Sequence, residues 1–521
     1  MQLTGQQTAF VDAVTRQERN VALIARAGSG KTSTILAAVD ALRATSSSLA
    51  ITVCAYNKAI EVEISAKLKR NGHTDWKTTG AQTAHAMGWG LVRFAFRNPK
   101  IEKNKVRELA YAIMDAVEVV PAPGQQPSRQ DRDIAPTLRQ YGSQVLELVS
   151  KAKQEGVGFF DDAPIASVDT WARIAEHYDI NGMDETDALD AVIVAAQHLY
   201  KLSLAQTDVV DFDDMVLWPL IKNLRVKFTR DVIFIDEAQD ISRARQALIR
   251  KFLTPGGQLH IIGDDRQAIY GFSGADAEAL PNMIEAFDSI ILPLTVTFRC
   301  PKAVVALAQQ IVPDLDCPED APEGVVARVA STEIGRINFV PGQAILCRNT
   351  APLVQAAYGL IRRGIAAKVE GRDIGIGLVK LARRWKVSLI EALLPRLENY
   401  RVTEMQKAVA KGSDQKAEQI ADKVDTLVEI CTAVQAKGQH KVEDVVDFIT
   451  NLFGDDIDPK ACVTLATYHR SKGREWGDVF LIEHHARCPS KAARQDWQRR
   501  QESNLAYVAF TRAMKSLTFL G

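Results

Sequence analysis

The chain has 521 residues, too many for one hydrophobic core and enough for about three or four domains. Its 64 basic and 64 acidic residues cancel, so bulk charge does not advertise nucleic-acid binding, and any such binding must rest on local basic patches. Hydrophobic content of 46% with 25% charged residues fits an ordinary globular protein, and seven scattered cysteines without a C-x-x-C pair argue against zinc and for a reducing compartment.

Met1-Gln2-Leu3-Thr4-Gly5-Gln6 has neither a charged segment nor an apolar core, so no secretion signal is read there. No later apolar stretch approaches the ~20 residues of a membrane span, and the chain is expected in the cytosol. The first strand, Val21-Ala22-Leu23-Ile24, runs into Ala25-Arg26-Ala27-Gly28-Ser29-Gly30-Lys31-Thr32, a glycine-rich phosphate loop. Gly28 and Gly30, with Ser29 between them, let backbone N–H groups close around phosphates, and the following helix adds its positive end. Lys31 is placed to reach the β- and γ-phosphates, and the Thr32 hydroxyl to ligate Mg²⁺. Arg26 is expected to face solvent.

A second strand follows at 49–55. Residues 87 to about 202 read as mainly helical, with a soft loop at 121–128 that is expected to be mobile. Val232-Ile233-Phe234-Ile235 then leads into Asp236-Glu237-Ala238-Gln239-Asp240. Asp236 supplies an acidic, metal-linked half of the site, and Glu237 can take a proton from water. A strand at 259–263 closes the first block, and runs at 344–347, 365–369, 462–466, 479–482 and 516–520 form a second. Between them, residues 375 to about 460 are helical. There Ala417, Ile420, Val424, Leu427, Cys431 and Val434 make one apolar stripe, expected to pack on a small domain of its own. Strands alternating with helices in two blocks imply an α/β protein with parallel sheets. The phosphate loop alone would say only that a nucleotide binds; the acidic strand end makes ATP hydrolysis the better reading.

With both nucleotide signals in the first block, this plan resembles the superfamily 1 helicases of the UvrD/Rep/PcrA type. Further segments match in order from residue 3 to residue 513. Leu3-Thr4-Gly5-Gln6-Gln7 is similar to that family's Q motif, with Gln7 at the position that reads the adenine edge. Ala55-Tyr56-Asn57-Lys58-Ala59 resembles motif Ia, and Thr83-Ala84-His85 the next strand-contacting motif. Asp211-Phe212-Asp213-Asp214-Met215 resembles a segment found before the acidic strand. Residues 263–275 are similar to motif III, 294–299 to motif IV, 467–476 to motif V and 504–513 to motif VI. Motif Ia, spelled Ala55-Tyr56-Asn57-Lys58-Ala59-Ile60, looks most like the F-box DNA helicase branch and its phage and bacterial relatives. The second insertion is roughly half the length usual in the family.

The resemblance implies two RecA-like P-loop motor domains, each carrying a mainly helical insertion. The first would comprise 1–86 and 203–290 with insertion 87–202; the second, 291–374 and 461–521 with insertion 375–460. It also implies ATP with Mg²⁺, Arg299 and Arg512 as arginine fingers, Phe298 stacked on adenine and Glu475 near the ribose. Gln267 would sense the γ-phosphate and pass its state to Tyr270, three residues on. Sequence-independent strand binding needs aromatic platforms and backbone contacts. Tyr270 and Phe272 are the expected platforms, and Asn57, Lys58, His85 and His469 the expected contacts. The implied activity is 3′-to-5′ translocation on single-stranded DNA by a monomer that unwinds 3′-tailed duplex, beside replication or recombination proteins and away from membranes. Its compartment would be bacterial or phage-infected cytoplasm, or a eukaryotic nucleus. Two alternatives stay open: a translocase that strips proteins from DNA with little unwinding, and an ATP-gated DNA-binding subunit of a larger complex.

Overall fold

The computed structural model describes residues 3–75, 77–118, 127–178, 180, 186–269, 279–410, 414–454 and 458–521. The chain forms two units, one of Met1–Ala25 and Gly30–Leu294, the other of Arg26–Ser29 and Thr295–Gly521. Among the described residues no helix is long and apolar enough to cross a membrane.

In the first unit, strands β1 (Val21–Ala25), β2 (Ile51–Ala55) and β3 (Thr79–Thr83) precede a helical insertion. The two-residue strands β4 (Lys100–Ile101) and β5 (Val209–Val210) pair with one another. β6 (Arg230–Ile235), β7 (Leu253–Gly263) and β8 (Ile290–Leu294) then complete a parallel six-stranded sheet in the order β3-β2-β6-β7-β1-β8. β2 and the last four residues of β6 are wholly buried, which is why they read as largely apolar runs, broken only by Thr52. Helices Gly5–Arg16 and Lys31–Thr45 cover one face, setting Phe10, Val14, Ile35 and Val39 against Leu23, Val53 and Phe234. Ala84–Ala95 and Arg243–Lys251 cover the other, with Met87, Leu248 and Ile249 against Ile233, Ile235 and Ile261. β6, β7 and β1 are neighbours and run the same way, so the chain leaves all three at one edge of the sheet. Open parallel sheets bind ligands there.

The insertion carries helices Lys105–Glu118, Arg129–Glu155, Val168–His177 and Thr186–Ala205 around Ile134, Leu148, Trp171, Leu199 and Tyr200. The loop expected to be mobile lies, up to residue 126, outside the described residues; Ser128 caps the helix Arg129–Glu155. Beneath these helices is a buried charge cluster. Lys153 Nζ donates to Asp211 Oδ2 (2.6 Å), Asp214 Oδ1 (2.7 Å) and Ser203 Oγ (2.9 Å). Lys105 Nζ meets Asp214 Oδ2 at 2.8 Å and lies 4.5 Å from the centre of the Trp218 ring.

The second unit holds β9 (Val325–Val329), β10 (Ala344–Cys347), β11 (Ala367–Val369), β12 (Val463–Thr467), β13 (Trp476–Ile482) and β14 (Ala513–Leu520). They form another parallel six-stranded sheet, ordered β11-β12-β10-β13-β14-β9. Helices Arg372–Ala382, Ile390–Ala410, Asp414–Gln435 and Val442–Leu452 make up its insertion. The expected stripe is on the third of these helices, with Val424, Leu427, Cys431 and Val434 buried and Ile420 partly so. The separate small domain is not found. The stripe shares one core with Leu353 and Ala357 of helix Ala351–Arg362 and with Val369, Leu465 and Phe480 of the sheet. An insertion this short cannot bury its own apolar faces, so it uses the sheet's.

Candidate nucleotide and strand-binding site

β1 ends at Ala25, and the helix Lys31–Thr45 starts after a turn that two glycines with positive φ make possible: Gly28 at 74° and Gly30 at 85°. A Cβ on Gly28 would lie 2.5 Å from Thr297 Oγ1, so no larger residue fits. Gly30, the helix N-cap, has no side chain to bind the first-turn amides, which leaves them to an anion. Ser29 is buried, and its hydroxyl donates to the Arg26 carbonyl at 2.7 Å, so it lends its backbone rather than its side chain. Arg26 does not face solvent, contrary to expectation. It is 8% exposed and grips both oxygens of Asp314 at 2.8–3.0 Å, two residues of the second unit. Within that same unit the Phe298 amide donates to the Gly28 carbonyl at 2.9 Å.

Gln7 is the third helical residue of Gly5–Arg16, where it forms a reciprocal capping box with Thr4: its Oε1 accepts the Thr4 amide at 3.0 Å and its amide donates to Thr4 Oγ1 at 3.2 Å. That leaves its buried Nε2 without a partner, 3.0 Å from where a Gly30 Cβ would sit. An orphaned donor at the phosphate loop fits a purine acceptor.

At the end of β6, Glu237 adopts a positive φ of 53° and its amide donates to Asp236 Oδ1 at 3.0 Å. Lys31 Nζ reaches Glu237 Oε1 at 2.8 Å. On the other oxygen Gln239 Nε2 donates to Oε2 at 2.5 Å, while Gln239 Oε1 accepts the Asp264 amide at 3.0 Å. Asp264 Oδ2 in turn accepts from Gln267 Nε2 at 2.7 Å. Lys31, Glu237, Gln239, Asp264 and Gln267 thus form one hydrogen-bonded chain across the ends of β1, β6 and β7. Burial, followed by the Glu237 charge, pushes the Asp236 carboxyl up to about 6. Burial acts against the Lys31 ammonium, but Glu237, Asp236 and Asp264 together outweigh it and raise that group above its usual value. A buried Asp236 and a partly buried Glu237 with one counter-cation have electrostatic room for Mg²⁺, and Thr32, partly exposed on the first turn of helix Lys31–Thr45, would offer a hydroxyl to it. Gln239 was part of the quoted motif but not among the expected site residues; its two-sided role needs the fold to be visible.

In the second unit Arg299 Nε donates to Glu475 Oε2 at 2.7 Å, and its Nη1 lies 3.4 Å from the Thr511 carbonyl. Glu475 is therefore engaged by a guanidinium rather than free for a ribose. Arg512 is almost wholly buried, its Nε donating to the Val508 carbonyl (2.8 Å), Nη1 to that of Arg474 (3.1 Å) and Nη2 to Thr511 Oγ1 (3.1 Å). Phe298, 54% exposed, is an aromatic face without burial of its own.

The expected strand contacts divide. Tyr270 and Phe272 lie outside the described residues. Asn57 is exposed, but its Oδ1 caps the helix Lys58–Arg70 by accepting the Ile60 amide at 3.0 Å. Lys58 projects into solvent beside Glu61. His85 and His469 are not the cations a phosphate would favour. Burial, with Arg245 nearby, pushes His85 down to about 4; burial, then Arg348, Arg470 and Lys472, pushes His469 down to about 3. Both are neutral near pH 7 and serve as hydrogen-bonding groups only. A residue not singled out in the sequence stands out here: Phe212 is 48% exposed and meets the His85 ring edge-on at 6.2 Å.

Two parallel sheets, the first carrying a phosphate loop at the end of β1 and an acidic pair at the end of β6 with β7 between them, make this a P-loop scaffold with two RecA-like domains. Family comparison narrows that class. The UvrD/REP helicase N-terminal domain matches residues 5–288, and the UvrD-like helicase C-terminal domain residues 158–520. The chain belongs to the UvrD/REP helicase family. Among similar proteins, the ATP-dependent DNA helicase srs2 of Schizosaccharomyces pombe is 32% identical over 139 residues, which cover 26% of this chain and 16% of that protein. The ATP-dependent DNA helicase PcrA of Staphylococcus epidermidis is 26% identical over 121 residues, covering 22% and 17%. The match thus spans less than a fifth of either relative's length.

Proposed function

We propose that the protein is an ATP-driven motor that moves 3′-to-5′ along single-stranded DNA and unwinds 3′-tailed duplex. The observation that carries this reading is the bonded chain from Lys31 through Glu237 and Gln239 to Asp264 and Gln267, which links the phosphate loop to the strand end leading into motif III. The four-part division, two motor domains interrupted by 87–202 and 375–460, belongs to the same reading.

Lys31 neutralises Glu237. ATP phosphates compete for the ammonium, and its transfer to the β- and γ-phosphates frees Glu237 Oε1 to accept a proton from the attacking water. Gln239 keeps the carboxylate oriented through the exchange. Thr32 and Asp236 would hold Mg²⁺, which supplies charge neutralisation at the β- and γ-phosphates. Arg299 and Arg512 act on the γ-phosphate as planar donors, Phe298 on the adenine face, and Gln7 Nε2 on its edge. Arg299 must exchange Glu475 for phosphate, so Glu475 gates that arginine before it serves the ribose. On the strand side, Phe212 and His85 offer an aromatic step, with Asn57 and Lys58 as backbone contacts and Tyr270 and Phe272 as further platforms.

A second reading, a translocase that clears proteins with little unwinding, is favoured by the short second insertion that shares the motor's core. One experiment addresses both: strand separation on 3′-tailed and 5′-tailed duplexes, run beside displacement of streptavidin from biotinylated single strands. Separation of the 3′-tailed duplex alone supports the first reading. Displacement without separation supports the second, and an ATPase indifferent to DNA overturns both.

A further inference from the structure

The second unit contains an ion network outside the nucleotide site. Arg348 follows β10 directly and is mostly buried, and its fork closes on Glu502, with Nη2–Oε1 at 2.8 Å and Nε–Oε2 at 2.9 Å. Its remaining nitrogen, Nη1, lies 3.3 Å from Glu418 Oε1. Ser490 ties the two carboxylates together: its hydroxyl donates to Glu418 Oε2 at 2.6 Å and its amide to Glu502 Oε2 at 2.9 Å. Burial opposes the Arg348 charge, but Glu502 and Glu418 outweigh it and raise the guanidinium above its usual value.

The two acidic partners of Arg348 sit on informative elements. Glu418 belongs to the insertion helix Asp414–Gln435. One turn further along that helix, Asp422 accepts the amides of Thr350 and Ala351 at 3.0 Å, capping helix Ala351–Arg362, whose own N-cap side chain makes no capping bond. Glu502 lies in the middle of helix Asp496–Phe510. That helix ends, eight residues or about 12 Å later, in the turn that holds Arg512 by its bond to the Val508 carbonyl. One guanidinium therefore joins the insertion to the helix that delivers Arg512. A lysine could not do so in the same way, because a point charge lacks the fork that satisfies two carboxylates at once.

We propose that Arg348 is a positioning residue that couples the helical insertion to ATP turnover. Glu418 seats Arg348, Arg348 seats Glu502, and the Glu502 helix sets the pose of Arg512. This rests on the reading of Arg512 as a γ-phosphate ligand.

The test compares Glu418→Gln, Arg348→Lys, the double variant and Arg512→Ala, with ATP titrated at saturating single-stranded DNA and thermal melts recorded alongside. Glu418→Gln retains the shape of the side chain and its Ser490 bond, so folding should hold, with the melting temperature within about 2 °C. Its kcat should fall about three- to tenfold while the KM for ATP changes less than about twofold, the scale of a coupling between residues in one network. Arg348→Lys should lose more, and the double variant no more than Arg348→Lys, since both act on one path. A normal kcat in Glu418→Gln, a loss seen only as lower melting temperature, or additive losses in the double variant would overturn the coupling. Arg512→Ala separates the two levels. If it turns over normally, the reading of the ATP site is wrong; if it is inactive while Glu418→Gln is normal, only the coupling fails.

Discussion

Glu237 is held from both sides, by Lys31 on one oxygen and Gln239 on the other, and this decides what its replacement should do. Glu237→Gln retains the size of the side chain and the cradle around the phosphates but removes the base. ATP affinity should stay within a few-fold while turnover falls ~10²–10⁴. Equilibrium binding of a fluorescent ATP analogue beside steady-state ATPase checks this; near-normal turnover would remove Glu237 from the base role. His260 illustrates a different residue-scale effect. It is buried on β7 between the rings of Phe10 and Phe234, and its Nδ1 accepts the Val21 amide at 3.3 Å. Burial pushes it down to about 3, so the folded protein keeps it neutral while the unfolded chain takes up a proton below its ordinary 6.5. Between those values the unfolded state binds more protons, so this stability is complete above pH 6.5 and declines as pH falls, by about 1.4 kcal/mol per unit. His260→Asn keeps an acceptor and cannot titrate. Between pH 7 and pH 5 its unfolding free energy should fall by about 2 kcal/mol less than that of the wild type. Urea unfolding at the two pH values gives the comparison, and equal declines would mean His260 is not what titrates.

At the scale of elements, the cluster of Lys105, Lys153, Asp211 and Asp214 fastens the first insertion to helix Phe212–Ile221, where Phe212 is displayed. Two cations and two anions balance inside the protein. Lys153→Met would strand buried carboxylates and should destabilise the chain by about 3–5 kcal/mol, partly recovered in Lys153→Met with Asp211→Asn. Denaturant unfolding of the single and double variants measures it; a change below about 1 kcal/mol in the single variant would show a relaxed, hydrated site. Which elements the sequence made legible follows the same logic of burial. β1, β2, β6 and β7 and the five strands from β10 to β14 read as apolar runs. β3, β8 and β9 did not, and all three are sheet edges. β3 is Thr-Gly-Ala-Gln-Thr, β8 contains Pro293, which an edge tolerates, and β9 has no fully buried residue. The glycine turn after β1 and the acidic strand end of β6 were legible because short local patterns carry them. Arg26 with Asp314, Gln239 as a bridge, and Arg348 between Glu418 and Glu502 were not, because each joins residues distant in sequence.

For the whole molecule, equal numbers of acidic and basic residues mean that the proposed strand affinity would have to come from a few local contacts. Lys58 is exposed next to the Asn57 cap, and Lys103 and Arg107 line a small cavity of about 270 Å³ with Phe212. Charge and stacking should therefore separate cleanly in salt titrations. Single-strand binding releases counterions at about 0.7 per phosphate contact, so Lys58→Ala should reduce the slope of log affinity against log salt by roughly that amount, whatever the DNA sequence. Phe212→Ala removes a stacking surface and no charge. It should weaken binding by about 1–3 kcal/mol at every salt concentration and leave the slope unchanged. Fluorescence anisotropy with a labelled oligothymidylate between 50 and 300 mM salt, on the order of the range where this effect is large, resolves the two. If Phe212→Ala binds as tightly as the wild type, that ring is not a base platform and the strand runs elsewhere on this unit. If it instead lowers the slope, the loss comes from displaced cations such as Lys103 and Arg107 rather than from stacking.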